Sequence, residues 1–100
     1  MEFEWDPGKD RANEAKHGIS FSRAQFAFAD HKRVIALDTK HSSEGEQRYF
    51  CFGRVDNRIA TVRFMLREGR IRIIGAGFWR EGKEIYEREN RLPEGAKKDR

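Results

Sequence analysis

Apolar side chains follow two different spacings along this chain, and the change between them falls near residue 33. Before that point they recur every three or four positions, which is typical of amphipathic helices. After it they alternate with polar residues in short runs, which is typical of β-strands with one buried face. The spacing predicts, in order, a strand over 2–5, helices over 7–17 and 21–30, strands over 33–37, 48–54, 59–67 and 71–76, and a helix over 83–92.

Local signals mark the ends of the two N-terminal helices. Asp6 followed by Pro7 is typical of a helix start, and Gly18 is typical of a helix end. Ser20 can cap the second helix, whose apolar face begins at Phe21. These signals predict two separate helices joined by a tight turn.

The short turns between the later strands predict an antiparallel meander. In the strand over 59–67, successive side chains point to opposite faces. One face carries Ala60, Val62, Phe64 and Leu66, and the other carries Thr61, Arg63, Met65 and Arg67. The expected fold class is α+β: a mainly antiparallel sheet of four or five strands, with two N-terminal helices on its apolar face and a C-terminal helix. The residues expected to be buried are Val62, Phe64, Phe21 and Phe28, and those expected on an open sheet face are Arg63 and Arg67.

The composition predicts a single small domain. The chain has 100 residues, of which 38% are charged and 37% hydrophobic. The domain is expected to span 1–92, followed by a charged tail over 93–100. Cys51 is the only cysteine, which excludes an internal disulfide, and its place in a strand argues against a nucleophilic role. No apolar run reaches membrane-spanning length and the N-terminus lacks signal-peptide features, so the protein is expected to be cytoplasmic, without membrane contact.

Positive charge is concentrated in the predicted sheet. Eight arginines and no lysine lie between Arg48 and Arg80, against only Asp56 and Glu68. This block has a net charge of +6, whereas the other residues sum to −2. A guanidinium contacts phosphate oxygens in a planar, bidentate way and stacks on bases, so the block indicates a phosphate-rich partner such as nucleic acid. For any single arginine, a solvated strand face is the alternative.

A second candidate binding region follows the last strand. Gly75 and Gly77 flank one alanine and permit close approach of a backbone or a ligand. Trp79 beside Arg80 offers a ring for stacking next to a cation for phosphate, a combination typical of proteins that hold single-stranded RNA. The alternative is that Trp79 completes the core and Arg80 begins the final helix at the surface.

Several motifs resemble the BrnT family of type II toxins. They are Phe3-Glu4-Trp5-Asp6 with Lys9 and Asn13, Lys16-His17-Gly18-Ile19-Ser20-Phe21 with Ala24, Phe28-Ala29-Asp30, Gly53, and Arg67 ahead of Arg72-Ile73-Ile74. The resemblance runs from about Phe3 to Tyr86, and the Lys-His-Gly motif is its most specific part. It implies a fold similar to that of the RelE-like ribonucleases, an activity against RNA that halts translation, and an antitoxin encoded beside the toxin.

The chain departs from many members of that family near the end of the last strand. A Ser-Ala-Arg sequence is usual there, and this chain has Gly75-Ala76-Gly77. A Glu-Arg pair is usual on the final helix, and the corresponding place reads Gly82-Lys83. Arg80 and Lys83 would then supply the charge of the missing arginine.

Metal-free RNA cleavage by a 2′-hydroxyl needs cations that stabilise the phosphorane and groups that move protons. Arginine stays protonated, so by elimination the candidates for the general base or general acid are His17, Lys83, Glu84 and Tyr86. His17 closes a helix, where a structural role is the favoured interpretation. The candidate catalytic residues are Arg63, Arg67, Arg72, Trp79, Arg80, Lys83 and Tyr86, and the candidate RNA-binding residues are Arg48, Met65 and His17.

No cofactor is expected. No histidine pairs with another histidine, a cysteine or a carboxylate at a metal-ligand spacing, and Glu44 with Glu46 makes at best a weak metal site. The favoured function is a metal-independent endoribonuclease toxin that inhibits translation. The resemblance implies that a BrnA-like, DNA-binding antitoxin neutralises it in a hetero-oligomer that binds its own promoter. The alternatives are a non-catalytic RNA- or DNA-binding module and a protein whose basic face binds an acidic partner.

Overall fold

The structure is a computed structural model that describes residues 1–91. Its elements are β1 (Phe3–Glu4), α1 (Pro7–His17), α2 (Phe21–Ala24) continuing into a 3₁₀ helix (Gln25–Ala29), β2 (Val34–Leu37), β3 (Arg48–Val55), β4 (Arg58–Arg67), β5 (Arg70–Gly77) and α3 (Arg80–Glu89). The predicted tail over 93–100 lies outside the described residues. Within 1–91, no helix has the length and apolar character needed to cross a membrane.

The local signals correctly place both ends of α1 and the start of α2. The Asp6 carboxylate accepts a hydrogen bond from the Lys9 amide at 2.9 Å, and the Ser20 hydroxyl accepts one from the Arg23 amide at 3.2 Å. Gly18 ends α1 with a φ of 74°, a left-handed conformation that favours glycine. The second helix differs from the prediction, because only one turn is α-helical and the rest is 3₁₀.

The 3₁₀ segment lies close against β3. At Gly53 an added Cβ would overlap the backbone carbonyl of Ala27, so the two backbones approach as closely as glycine allows. The apolar spacing predicted an α-helix here. The observed 3₁₀ helix is the segment that packs against β3 at this contact.

The five strands form one sheet in the order β1-β5-β4-β3-β2. The four later strands pair in antiparallel fashion, and β1 joins β5 in parallel. The pairing of β4 with β5 is irregular: Arg63 faces Gly75 and Phe64 faces Ile73, so Ile74 is an extra residue in β5. The predicted α+β class and mainly antiparallel sheet are confirmed.

The main core lies between the sheet and the N-terminal helices. Phe21 and Ala24 of α2 pack there with Val62, Phe64 and Ile73 of the sheet, all of them buried. Two residues are less buried than the sequence predicted. Phe28 is only partly buried, and Leu66 is 59% exposed at the end of β4.

The opposite face of the sheet is not open as predicted, because α3 lies across part of it. Tyr86 of α3 forms a second core cluster there with Phe52 and Ile59. Arg67 is exposed as predicted, whereas the Arg63 side chain is only 32% exposed and Met65 is buried. The helices thus occupy both faces of the sheet, and α3 divides the arginine-rich face into separate surfaces.

Candidate functional site

A positively charged groove, called here the basic groove, lies between α3 and the β3–β4 turn. Four cationic side chains line it: Arg54, Arg58, Arg80 and Lys83. The groove has a volume of about 420 Å³, and Glu87 is the carboxylate in its lining. The Arg58 guanidinium lies 3.8 Å from the centre of the Phe78 ring, a cation–π contact that holds it at the wall of the groove. Such a concentration of cations suits phosphate groups.

A second, largely apolar depression, called here the aromatic cavity, lies on the same sheet face beside the N-terminal end of α3. It has a volume of about 430 Å³. The rings of Phe50 and Phe52 form part of its lining, stacked with their centres 5.6 Å apart. Arg63 and Thr61 are the lining residues from β4, and the Thr61 hydroxyl has no hydrogen-bond partner among residues 1–91. Aromatic walls with a single arginine suit a planar, partly polar ligand.

Trp79 separates the basic groove from the aromatic cavity and lines both. Trp79 is 40% exposed, so it does not complete the core. The His17 ring contacts the indole edge-on with centres 5.1 Å apart. At Gly77 an added Cβ would overlap the indole, so this glycine permits the ring to lie against the backbone. The contact between His17 and Trp79 favours a structural role for His17, and its place beside Trp79 keeps it next to the candidate site.

A buried carboxylate lies at the end of β2, next to Arg63. Asp38 accepts a hydrogen bond from Nδ1 of His41 at 2.9 Å, and its side chain is 3% exposed. Nε of Arg63 lies 3.9 Å from the same carboxylate oxygen. The sequence showed no histidine paired with a carboxylate at a metal-ligand spacing, and this pair, three positions apart, was not predicted. Within residues 1–91, no group of three or more metal-ligating side chains is brought together.

The structure distributes the predicted site residues over several surfaces. Arg80 and Lys83 line the basic groove, Arg63 lines the aromatic cavity, and Trp79 lines both. Two positions after Arg63 on the same sheet face, Met65 lies between Arg48 of β3 and Arg72 of β5, and these three residues form a row across the strands. Carboxylates accompany this row: Glu46 contacts Arg48 at 2.8 Å, and Glu4 contacts Arg72 at 3.1 Å. Arg67 lies at the end of β4, beyond this row.

The Tyr86 side chain, on α3, is buried between this helix and the sheet and lines neither depression. Its hydroxyl donates a hydrogen bond of 2.6 Å to Asp30, which also accepts the amides of Lys32 and Arg54. Burial opposes ionisation of Asp30, but the bonds from Tyr86 and the two amides outweigh it and hold the pKa below its usual 3.8. Burial, together with Asp30, raises the pKa of Tyr86. This position favours a structural role for Tyr86 over the catalytic role predicted from sequence.

Replacing Tyr86 by phenylalanine is therefore expected to destabilise the fold by about 1.5 kcal/mol at neutral pH, because a buried hydrogen bond to a carboxylate is lost. A carboxyl group whose pKa is lower in the folded state stabilises the protein above its unfolded pKa, and this contribution is lost as the pH falls through the folded pKa. The difference between the two proteins in urea unfolding should thus shrink below about pH 4.

Tyr49→Phe is the matched control, because its hydroxyl bonds the exposed Gln47 side chain and no other group within residues 1–91. This change is expected to cost less than about 0.5 kcal/mol at any pH. Equal destabilisation by the two substitutions would contradict the structural role of Tyr86.

Cys51 lies in the main core, as its strand position suggested. It is fully buried, and burial raises the pKa of its thiol to about 12. A thiol that stays protonated at neutral pH is a poor nucleophile. Cys51 is thus part of the packing and not of the functional surface.

The sequence did not single out four residues that the structure places at these surfaces. Arg54 and Arg58 were seen only as members of the arginine block, and Asp38 and His41 as parts of a polar loop. The alternation along β3 would have placed Arg54 on the same face as Phe52. No local pattern indicated that His41 would meet a buried carboxylate beside an arginine of another strand.

Comparison with known proteins agrees with the motifs. A model of the family described as "Ribonuclease toxin, BrnT, of type II toxin-antitoxin system" matches residues 5–82. No curated protein matches the sequence closely enough to add an individual relative. The matched segment runs from the residue after β1 into the first turn of α3, and so includes Trp79 and Arg80. This chain belongs to the BrnT family of ribonuclease toxins of type II toxin-antitoxin systems.

Proposed function

We propose that the protein is an endoribonuclease that cleaves RNA without a metal ion, and that it binds its substrate along the face that carries α3. The observation that supports this best is the continuity of the basic groove, Trp79 and the aromatic cavity. Membership of a ribonuclease toxin family supplies the reaction class. The two depressions supply what a single-stranded RNA requires, namely cations for its backbone and aromatic rings for its bases.

The basic groove would hold phosphate groups. Arg54, Arg58, Arg80 and Lys83 converge there from three different elements, so a backbone phosphate can be contacted from more than one side. Guanidinium groups contact phosphate oxygens in pairs, which fixes orientation as well as charge. Trp79, at the boundary of the groove, presents a ring on which the neighbouring base can stack.

The aromatic cavity would receive a base, with its phosphate near Arg63. Stacking on Phe50 and Phe52 tolerates every base. Arg63 is then the cation next to the reacting phosphate. In this proposal arginine charge stabilises the phosphorane, a role that a metal ion has in other nucleases.

The proposal is tested with purified protein and a labelled transcript in excess EDTA. We expect cleavage in EDTA at the same rate as in Mg²⁺, and arrest of translation in a cell-free extract to which the protein is added. Loss of cleavage in EDTA that a divalent ion restores would contradict the metal-free mechanism. Salt-dependent binding of RNA without cleavage in any buffer would instead favour a non-catalytic binding module.

The antitoxin is proposed to cover the same face. A partner that buries these arginines needs carboxylates opposite them, because an unpaired buried charge is costly. Its covering segment should therefore be rich in Asp and Glu, with aromatic or aliphatic side chains opposite Trp79. We propose a BrnA-like, DNA-binding antitoxin whose complex with the toxin binds their promoter. Competition tests the placement: a ternary complex that still cleaves RNA would contradict it.

A further inference from the structure

The loop after β2 is held in one arrangement around a buried carboxylate. The Asp38 amide donates to the Arg48 carbonyl at 2.8 Å, so the pairing with β3 extends one residue past β2. The Ser42 hydroxyl donates to the Asp38 carbonyl at 2.7 Å and accepts from the Arg48 amide at 2.8 Å. The His41 amide also donates to the Asp38 carboxylate, at 3.3 Å. These bonds position the backbone of His41 before any ligand is present.

The same carboxylate determines which nitrogen of His41 is available. An ionised carboxylate only accepts hydrogen bonds, so Nδ1 of His41, 2.9 Å away, is the protonated nitrogen. In the neutral ring Nε2 then carries the free electron pair. The Asp38 side chain is buried, whereas the His41 side chain is 51% exposed. Asp38 thus orients the imidazole through Nδ1, and the ring remains accessible to a ligand.

Arg63 connects this pair to the aromatic cavity. Its Nε lies 3.9 Å from the Asp38 carboxylate and has no hydrogen-bond partner among residues 1–91. The same side chain lines the cavity. Nδ1 of His41 and Nε of Arg63 approach the same oxygen of Asp38, at 2.9 and 3.9 Å, so the two side chains are neighbours. A phosphate bound by Arg63 would place its ribose within reach of His41.

The other proton carriers considered from sequence are less well placed. Tyr86 is buried and donates its proton to Asp30. His17 contacts Trp79 through its ring. Lys83 lies in the basic groove among arginines, and Glu84 is exposed on α3 outside both depressions. His41 also lies outside them, but it shares the Asp38 carboxylate with Arg63, which lines the aromatic cavity. His41 is the imidazole that combines an oriented ring, an accessible nitrogen and a neighbouring cation.

We propose that His41 is the general base of RNA cleavage and that Asp38 is its positioning residue, an inference that rests on the proposed ribonuclease function. Nε2 of His41 takes the proton of the 2′-hydroxyl while the 2′-oxygen forms a bond to the adjacent phosphorus. The bond between phosphorus and the 5′-oxygen breaks, its electron pair stays on that oxygen, and water protonates it. The imidazolium returns its proton to the resulting hydroxide. The products are a 2′,3′-cyclic phosphate and a 5′-hydroxyl end.

The first test replaces His41 by glutamine in the full chain, with His31→Gln as the matched control on the exposed loop before β2. With an RNA that contains one cleavage site, His41→Gln is expected to lower kcat by about 10²- to 10⁴-fold, with KM and Tm little changed. Imidazole in the buffer should restore part of the activity of His41→Ala. His31→Gln should cleave like the wild type.

The second test separates positioning from loop stability. Asp38→Asn should lower kcat in the wild-type background and have little further effect on a protein that already carries His41→Gln. A purely structural carboxylate would instead lower Tm and affect both backgrounds equally. The double-mutant comparison therefore distinguishes the two roles even where Asp38→Asn destabilises the protein.

The third test uses wild-type protein and so does not depend on how a variant folds. Diethyl pyrocarbonate modifies exposed histidines, and the probe is an RNA with a 2′-deoxy nucleotide at the cleavage site. Binding of this RNA should protect His41, but not His31, from modification. Unchanged modification of His41 under saturating RNA, or wild-type cleavage by His41→Gln, overturns the inference. Failure of the wild-type protein to cleave any RNA would overturn the proposed function itself.

Discussion

Replacing Arg63 by alanine is expected to lower the rate of RNA cleavage by about 10²- to 10³-fold, the loss typical of removing one group that stabilises transition-state charge. Arg63 is the cation shared by the aromatic cavity and the Asp38–His41 pair. Its removal should act mainly on kcat, since the basic groove still binds the RNA backbone. The measurement is single-turnover cleavage of a labelled RNA at saturating protein, with binding determined separately.

Two further variants make the test of Arg63 specific. Arg63→Lys keeps the charge but loses the planar fork, so its rate should fall between those of Arg63→Ala and the wild type. Arg11→Ala removes an exposed arginine from α1 and should cleave normally. We expect Arg63→Ala to remain folded, because Asp38 keeps both hydrogen bonds from His41. Wild-type cleavage by folded Arg63→Ala would place the reacting phosphate elsewhere.

Gly53→Ala is expected to have the largest effect on stability, about 3 kcal/mol or more. Its added methyl group would overlap the carbonyl of Ala27. The carbonyl is a backbone group and the position of a Cβ is fixed by its own backbone, so neither partner can rotate away. The 3₁₀ helix would have to move off β3, which would open the main core beside Phe21 and Val62. Urea unfolding monitored by circular dichroism measures the change.

Gly45→Ala is the matched control for this prediction. Gly45 is exposed in the loop between β2 and β3, and a Cβ there would meet no atom within 4 Å. The control should alter the free energy of unfolding by less than about 0.5 kcal/mol. A Gly53→Ala protein as stable as this control would show that the 3₁₀ helix can shift away from β3 without loss of packing.

Features that depend on near neighbours in the chain were predicted from the sequence. The caps of α1 and α2 at Asp6 and Ser20, the left-handed end at Gly18 and the alternation along β4 each involve residues a few positions apart. The family resemblance was also a matter of sequence, and the match over residues 5–82 confirms it. Backbone sterics and side-chain period act locally, which is why these predictions were correct.

The placement of α3 was decided by contacts between distant residues. The sequence predicted a helix near 83–92 but gave no reason for it to lie on the arginine-rich face. Tyr86 is tied to Asp30 across 56 positions, and Gly82 lets the helix approach Thr61 more closely than any larger residue would. These contacts bury part of the face that alternation alone predicted to be open, and they form the basic groove and the aromatic cavity on either side of Trp79.

The sequence by itself determined which chemical groups this protein has, and the tertiary structure decided which of them act together. Asp38 and His41 are close in the chain, but their partner Arg63 comes from β4, which reaches them only because β3 pairs with both β2 and β4. Arginines that look equivalent in the sequence differ for the same reason: Arg72 is paired with Glu4 of β1, whereas Arg80 lines the basic groove. Charge and residue type are properties of the chain. Burial and distance are set by packing between segments far apart in sequence, and these determine whether a charge is neutralised or can bind a ligand.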